Sequence, residues 1–428
     1  MIKKPWWAAA LAAALVLVAG CHNGGHAQNS TDLRALNAVI DAEPLDVLVD
    51  DDAKISGVAL GQTSSTTEFD SGTRDVKIRS STNGSILAEK SMALNSGAVN
   101  TLVMYGKRGS IGTLLLQDST NSPTSGKFRV RGVGLSADAG AVDLYVVAGA
   151  VTDVAATIPG VTYLNSSAYT ELSPGSFSII MTTSGTKEVV FQSTPQAFSD
   201  GASYTIGVFP SAGGKLVSAW MLTEGGSGVY LTNPVARVKV VNAIPDSPTL
   251  NFKADGTTLL SNVPFTGSSS YVSLATGNRT LQLEAANVPG TIIASSTQAI
   301  QSARDYTVMA LDTFAAPRLV TLADDNTFPT AGFAKVRFVN ALSSAASVDV
   351  LVNFASQASG LAYGSASAYS QLAANTAQAT GYTITFSSPG GVQVIATLND
   401  VELDSSLVYT AILLGPANAP QVKLLRDR

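Results

Sequence analysis

Short runs of alternating apolar and polar residues fill the chain beyond about residue 30, and Gly, Asn, Asp, Ser and Pro separate them. Val238-Lys239-Val240-Val241 is typical. Alternation of this kind predicts β-strands with one buried face, and helical periodicity is nearly absent. Asp255-Gly256 predicts a two-residue hairpin turn. About seven short strands per roughly 100 residues indicate all-β, antiparallel sandwiches of immunoglobulin-like size.

A first landmark recurs four times, which predicts a tandem array. Each copy begins with a strand that usually carries an Asn near its end. An Asp or Asn usually follows nine residues after that Asn, and a second strand comes next. In the weakest copy Gly132 takes the place of Asn, and Asp143 follows it by eleven residues. The strands are Leu33–Ala38 with Asp46, Phe128–Val133 with Asp143, Val238–Ala243 with Asn251, and Val336–Ala341 with Asp349.

Two more landmarks repeat in the same order. A Tyr-Thr pair opens a late strand at Tyr204, Tyr306 and Tyr409, and Asn100-Thr101 takes its place in the first copy. The tyrosine suggests an analogue of the tyrosine corner, with its hydroxyl bonded to the backbone. A mid-unit motif also recurs, in which an aromatic residue precedes a Gly. Its copies are Phe69 with Gly72, Tyr169–Leu172 with Gly175, Tyr271–Leu274 with Gly277, and Tyr369 with Leu372, where the Gly is displaced to about Gly381.

Loop-rich stretches near 122–126, 225–234 and 328–332 predict the boundaries between repeats. The predicted organisation is four tandem sandwiches, in series, behind a leader and a tether. The segments are a signal peptide at 1–20, a lipidated flexible tether at 21–31, and repeats at 32–121, 127–230, 235–328 and 333–428.

The leader has the layout of a bacterial export signal. Lys3 and Lys4 precede an apolar run from Ala8 to Val18, which is too short for an ordinary membrane span. The closing Val18-Ala19-Gly20-Cys21 resembles a lipoprotein lipobox. The resemblance implies lipid on Cys21, cleavage after Gly20 and, since residue 22 is not Asp, a place in the outer membrane. The membrane is then an expected partner, which the protein would bind through the lipid on Cys21.

Composition narrows the classes of function. The chain has 26 basic and 31 acidic residues; without Lys3 and Lys4 it has 24 and 31, a net charge of −7. This charge disfavours nucleic acid as a partner. With one cysteine, an intramolecular disulfide is excluded, so each repeat depends on its apolar core.

The third repeat resembles the bacterial domain-of-unknown-function family 4397. The resemblance rests on Val240–Pro248, Asp255-Gly256, Leu260–Phe265 and Tyr306–Val308, and it is weaker in the second repeat. Many family members have His where Asn37, Asn242 and Asn340 stand, so a histidine-dependent role is not expected here. The family implies tandem domains in secreted and surface proteins and no established activity.

The sequence offers little for catalysis, and we expect a protein that is not an enzyme. Both histidines, His22 and His26, lie in the tether, so no Ser-His-Asp or Cys-His arrangement forms inside a repeat. A metal site at these histidines is a weaker alternative to an unstructured tether. A hydrolase built from paired carboxylates stays open, although the acids recur at equivalent turns.

Calcium is the one candidate cofactor. Asp324, Asp325 and Asn326 precede the junction into the fourth repeat, where calcium would stiffen an array of sandwiches. Calcium needs six to eight oxygens, so a neighbouring repeat would have to contribute. The alternative is ordinary turn chemistry, in which Asp and Asn bond to nearby backbone.

The sequence leaves two functions open. The first is a non-catalytic scaffold or adhesion protein of the cell envelope. The second is a module that binds a glycan or another envelope ligand in the second repeat, where the aromatic residues are most numerous. Exposed rings would favour binding, and buried rings would favour the scaffold. The candidate binding residues are Tyr145, Tyr163, Trp220 and Tyr230.

Overall fold

The computed structural model describes residues 29–119, 121–375 and 381–428, which form four β-sandwich units. Beside the strands, these ranges hold one 3-10 turn at Pro389–Gly391. Within the same ranges, no helix has the length and apolar character needed to cross a membrane. Cys21, the predicted signal peptide and most of the predicted tether lie outside the described residues.

Unit 1 and unit 2 comprise the first eighteen strands. Unit 1 contains β1 Ser30–Val39, β2 Leu45–Val49, β3 Asp52–Val58, β4 Thr67–Asp70, β5 Gly72–Ser80, β6 Ile86–Leu94, β7 Val99–Lys107 and β8 Ser110–Gln117. Unit 2 contains β9 Phe128–Gly134, β10 Val142–Val147, β11 Ile158–Val161, β12 Thr170–Leu172, β13 Gly175–Thr183, β14 Val189–Gln192, β15 Gln196–Phe198, β16 Ser203–Phe209, β17 Ser218–Thr223 and β18 Gly228–Leu231.

Unit 3 and unit 4 each repeat the eight-strand plan. Unit 3 contains β19 Val235–Asn242, β20 Leu250–Ala254, β21 Thr257–Val263, β22 Val272–Ala275, β23 Gly277–Ala285, β24 Ile292–Ile300, β25 Asp305–Thr313 and β26 Ala316–Asp324. Unit 4 contains β27 Phe333–Asn340, β28 Ser347–Val352, β29 Ala355–Ala362, β30 Ser370–Ala373, β31 Tyr382–Ser387, β32 Val394–Val401, β33 Val408–Leu414 and β34 Gln421–Arg426.

Every unit packs two sheets face to face, which confirms the predicted β-sandwich class. In unit 1 the first sheet has the order β4-β1-β7-β8 and the second has the order β3-β2-β5-β6; units 3 and 4 follow the same plan. Unit 2 adds β18 to its first sheet and β15 to its second. One strand pair in each unit differs from the antiparallel expectation, because the first strand runs parallel to the late Tyr-Thr strand.

The late tyrosines form the predicted contact with the backbone. The hydroxyls of Tyr204, Tyr306 and Tyr409 accept hydrogen bonds from backbone N–H groups five residues upstream, at 3.0, 3.0 and 3.1 Å. All three rings are buried. The structural interpretation of this landmark is therefore confirmed.

The asparagine landmark ties the end of the first strand to the rest of its unit. Asn242 is fully buried; its side chain donates to the Val263 carbonyl at 3.2 Å and accepts from the Ile244 N–H at 3.1 Å. Asn37 and Asn340 make the same two kinds of bond. A buried backbone group that loses its partner costs more than the bond itself contributes.

Replacing Asn242 with alanine is accordingly expected to lower the free energy of unfolding by about 1–3 kcal/mol. Urea denaturation followed by circular dichroism measures this. Asn278 is exposed in the same unit, so N278A is the matched control and should change the midpoint little. Equal effects of the two substitutions would contradict a structural role for Asn242.

The structure corrects the alignment of the second repeat by two residues. Gly134, and not Gly132, occupies the asparagine position, since both Gly134 and Asn37 form a parallel bridge to the loop that follows the third strand. With Gly134 in place, Asp143 follows by nine residues, as in the other units. A Cβ on Gly134 would lie 2.1 Å from the Thr162 carbonyl oxygen, so only glycine fits.

The Asp or Asn that follows each first landmark is also structural. Asp46, Asp143 and Asp349 accept hydrogen bonds from the N–H groups of Gly57, Gly160 and Gly360, at 2.9, 2.8 and 2.7 Å. In unit 3, Asn251 accepts from the Asn262 N–H at 2.9 Å. The backbone N–H groups of Gly360 and Gly390 lower the pKa of Asp349 below its ordinary value. These recurrent Asp and Asn residues hold the irregular edge strand of each unit.

Candidate functional site

The outer face of each unit's first sheet carries one basic residue, one Thr and one acid at equivalent positions. The basic residue lies on the first strand, the Thr lies on the parallel neighbour, and the acid lies at or just after the end of the last long strand. The four sets are Arg34, Thr101 and Asp118; Arg131, Thr205 and Glu224; Lys239, Thr307 and Asp324; and Arg337, Thr410 and Asp427. Charged residues on such a face normally meet solvent, but here the faces of neighbouring units pack together.

In units 3 and 4 the sets exchange partners across the interface. Arg337 of unit 4 lies 2.5 Å from the carboxylate of Asp324 in unit 3, and both side chains are almost fully buried. Reciprocally, Lys239 of unit 3 pairs with the buried Asp427 of unit 4. The two faces are thus related by an approximate two-fold axis, as in an isologous dimer interface.

Further hydrogen bonds fix the Arg337 guanidinium. Its Nε donates to Thr410 at 2.9 Å, while Nη1 and Nη2 donate to the Ala323 carbonyl and the Thr307 hydroxyl, each at 3.0 Å. Burial disfavours the charge on Arg337, but Asp324 and the other nearby groups, including Asp427, together outweigh burial and raise the pKa of Arg337 above its ordinary value. The guanidinium therefore joins unit 4 to two strands of unit 3.

Apolar side chains surround these ion pairs. Residues from both units form one buried cluster that is separate from the cores inside the sandwiches. Such a cluster is typical of an obligate interface. Its buried members are Val241, Ala243, Met309, Leu311, Val339, Ala341, Ile412, Leu414 and Leu425.

Units 1 and 2 pair through the same faces, with the partners arranged differently. Arg34 pairs with Asp118 of its own unit at 2.6 Å, and it also donates to the Gly226 carbonyl of unit 2 at 3.0 Å. Arg131 pairs with Glu224 in unit 2 at 3.2 Å. Trp220 is fully buried between the units and donates from Nε1 to the Thr63 hydroxyl of unit 1 at 2.9 Å.

Unit 2 also contacts both units of the second pair, so the units are not simply in series as expected. The backbone N–H of Phe328 donates to Asp138 of unit 2 at 2.5 Å, and Arg428 of unit 4 donates to the Asp138 carbonyl. A Cβ on Gly214 would lie 2.4 Å from the Asn326 backbone, so glycine is required at this approach. Burial raises the pKa of Asp138 despite the nearby Arg428.

Comparison with known proteins places the repeats in a family. A family model described as a domain of unknown function (DUF4397) matches residues 31–145, 236–350 and 334–428, which together exceed half of the chain. The chain belongs to the DUF4397 family. The matches cover units 1, 3 and 4, while most of unit 2 lies outside them. No curated protein matches the chain.

Solved structures add no functional information to the DUF4397 assignment. The Bacillus anthracis TIE protein aligns with 91% of this chain and 68% of its own, at 10% identity and a TM-score of 0.16. A multi-modular glycogen-degrading pneumococcal virulence factor, SpuA, aligns with 61% of this chain and 37% of its own, at 8% identity and a TM-score of 0.15. Likenesses this weak support no argument about activity.

The carboxylates of Asp324 and Asp325, two of the three candidate calcium ligands of this DUF4397 protein, have protein partners. Asp324 accepts hydrogen bonds from Arg337, Thr307 and Tyr271, whose hydroxyl lies 2.5 Å away. Burial and the adjacent Asp324 raise the pKa of Tyr271 well above its ordinary value, so the hydroxyl remains a donor. These bonds occupy the carboxylate that calcium would need.

Asp325 has a cationic partner, whereas Asn326 is bonded through its amide nitrogen and its buried Oδ1 has no hydrogen-bond partner among the described residues. Asp325 lies 2.9 Å from the Lys335 ammonium, and Asn326 donates to Asp305 at 2.6 Å. Within the ranges 29–119, 121–375 and 381–428, no three His, Cys, Asp or Glu side chains are grouped to hold a metal ion. Asp324 and Asp325 thus form ion pairs at this junction, and calcium binding stays a prediction.

Millimolar calcium or a chelator is therefore expected to leave the melting temperature of the purified protein unchanged. Differential scanning calorimetry in calcium, magnesium and chelator measures this. A rise of several degrees with calcium alone would mean that the cation displaces the partners of Asp324 and Asp325.

The four aromatic residues predicted for ligand binding do not form one exposed patch. Trp220 and Tyr145 are buried, and Tyr230 packs against Phe209 at the interface of units 1 and 2. Tyr163 is 37% exposed and makes an edge contact with Tyr105 of unit 1. Burial of Trp220 and Tyr145 favours the scaffold over a glycan site made of all four rings.

Sequence reasoning missed the basic residues on the first strands. Arg34, Lys239 and Arg337 alternate with apolar neighbours and therefore look like the solvent face of a strand. A repeated spacing does connect them to their acids: seventeen residues separate the Thr and the acid in units 1, 3 and 4. That spacing was the available signal, although it does not say which unit supplies the partner.

Proposed function

We propose that this DUF4397 protein is a non-catalytic scaffold of the cell envelope, held at the outer membrane by a lipid on Cys21. The observation that carries the proposal is that charged residues at equivalent positions of the repeats pair with one another between units 3 and 4. The groups best suited to chemistry, Arg337, Asp324, Lys239 and Asp427, join units to one another in buried pairs. Side chains engaged in this way stabilise an assembly and are not free to act on a substrate.

The paired faces also support a scaffold. Two buried apolar clusters between units, together with the contacts of Asp138 and Gly214, hold neighbouring sandwiches in fixed contact. An extracytoplasmic protein without an available intramolecular disulfide gains from such interfaces. The assembly would keep its outer surfaces at a defined position on the membrane.

Metabolic labelling with palmitate and fractionation of the envelope test the anchor. The wild-type chain should incorporate label and sediment with outer membrane, whereas C21S should lose both properties. Membrane association of C21S equal to wild type would contradict a lipid anchor on Cys21.

A screen for hydrolase activity tests the non-catalytic part. Purified protein should show no turnover of envelope glycans or peptides that depends on its acids. An activity abolished by a single substitution, such as D349N, would refute the scaffold proposal. D349N is a suitable probe because Asp349 is among the more accessible of the recurrent acids.

A further inference from the structure

An open cleft of about 530 Å³ lies where units 2, 3 and 4 meet. The described residues on its walls include four basic side chains and two acidic ones, Glu188 and Asp427. The chain as a whole has the opposite balance, with 26 basic and 31 acidic residues. A cleft lined by one sign of charge attracts ligands of the other sign. The basic residues are Lys215 of unit 2, Arg237 of unit 3, and Arg426 and Arg428 of unit 4.

Most charges around the cleft compensate one another in ion pairs, which are Lys215 with Glu188, Arg237 with Asp305, and Lys239 with Asp427. Each pair is neutral overall, so Arg426 and Arg428 are left over. Within the ranges that the structure describes, neither arginine forms an ion pair with an acidic side chain. Even with a carboxylate on Arg428 itself, cations outnumber carboxylates on the walls.

Arg428 is a cation with little access to water. Its Nη1 donates to the Asn326 carbonyl at 2.7 Å, its Nη2 donates to the Asp138 carbonyl, and its guanidinium lies 3.7 Å from the centre of the Phe328 ring. Burial lowers the pKa of Arg428 below its ordinary value, although Asp138 lies nearby. A buried cation without a close anionic partner is unfavourable, and a bound anion would offset that penalty.

Arg426 has unused hydrogen-bond donors. Its Nε donates to the main-chain oxygen of Arg428 at 3.0 Å, but no described residue accepts a hydrogen bond from either of its Nη atoms. Arg426 is exposed, and so is Ser270, another residue of the cleft wall. Guanidinium groups and hydroxyls bind phosphate and carboxylate well, because both anions present two oxygens to parallel N–H donors.

The cleft is larger than a single phosphate or carboxylate group requires. Its volume lies within the roughly 300–1,000 Å³ that is usual for ligand sites. Phe328, which is 39% exposed, adds apolar surface to the wall. Aromatic surface next to charged donors suits an anionic group that is attached to a ring, such as an acidic or phosphorylated sugar.

We propose that the cleft between units 2, 3 and 4 binds an oxyanion, a phosphate or carboxylate group carried by a sugar. Arg426 and Arg428 supply the positive charge, and Ser270 supplies a hydroxyl. Since the walls come from both pairs of units, the bound ligand holds unit 2 against units 3 and 4 and raises the melting temperature. This binding site goes beyond the scaffold function and does not depend on the lipid anchor.

Isothermal titration calorimetry of the whole chain carrying C21S tests the site. The probes are glucose 6-phosphate, glucuronate and glucose, with sodium chloride used to keep the ionic strength constant. At least one anionic sugar should bind saturably, with a dissociation constant on the order of 1 mM, and glucose should not bind. The two anionic probes distinguish a phosphate site from a carboxylate site.

R426Q tests the contribution of the cleft directly. It removes one positive charge and one hydrogen bond to the main chain, so it should weaken binding about tenfold or more and leave the melting temperature without ligand unchanged. R279Q is the matched control, because Arg279 pairs with Asp255 at 3.1 Å on the surface of unit 3, outside the cleft. It removes the same charge and should bind the sugar like the parent.

Three results would overturn the anion site. One is the absence of saturable binding of either anionic sugar by the parent. Another is equal affinity of the parent and R426Q. The third is an equal loss of affinity in R426Q and R279Q, which would mean that binding follows the total charge of the protein and not the cleft.

Discussion

Replacing Arg337 with methionine is expected to lower the free energy of unfolding by about 3–5 kcal/mol. The substitution keeps much of the side-chain length but leaves Asp324 buried without its cation. Arg337 and Asp324 are 1% and 0% exposed, so water cannot take over the role of the guanidinium. The loss should appear in urea denaturation as a lower midpoint for the transition that includes units 3 and 4.

Two further variants separate the buried charge from other effects. Arg74 pairs with Asp50 at 3.0 Å on the surface of unit 1, so R74M should cost at most about 1 kcal/mol. R337M/D324N also removes the unpaired charge of Asp324, so the double variant should recover most of the free energy of unfolding that R337M loses. If R337M lowered the free energy of unfolding no more than R74M, the buried ion pair between Arg337 and Asp324 would be contradicted.

Replacing Trp220 with alanine should destabilise the first pair of units by about 3–5 kcal/mol. The indole is fully buried between units 1 and 2, so alanine leaves a large cavity and removes the hydrogen bond to Thr63. Thermal unfolding followed by circular dichroism measures the change. The first pair should unfold separately from and before the second pair.

Tyr163 provides the control within the same unit. It is 37% exposed and contacts Tyr105 by one ring edge, so Y163A should cost about 1 kcal/mol or less. Similar losses from W220A and Y163A would mean that Trp220 does not hold the interface.

The repeat architecture could be predicted from sequence because its signals are local. Strand alternation, turn residues and the Tyr-Thr landmark each reflect contacts within one sandwich, and the hydrogen bonds of Tyr204, Tyr306 and Tyr409 confirm the last of them. Only the second repeat was misaligned, since Gly134 replaces the asparagine that marks the other units.

The pairing of units could not be predicted in the same way. On β19 and β27, Lys239 and Arg337 alternate with apolar residues and so lie on the strand face that normally meets water. They are buried because an acid from another unit completes each pair, and alternation within one strand carries no information about that partner. The same reasoning explains Trp220, which was proposed for ligand binding and instead fills an interface.

Distance measurement between spin labels on units 3 and 4 tests the paired assembly most directly. Thr258 and Ser356 are exposed on strands of the two units, and C21S removes the only native cysteine. T258C/S356C labelled at both sites should give one narrow distance distribution, which broadens when R337M is added. A broad distance distribution in the parent is expected for sandwiches joined only by a flexible linker, and it would contradict the paired assembly of units 3 and 4.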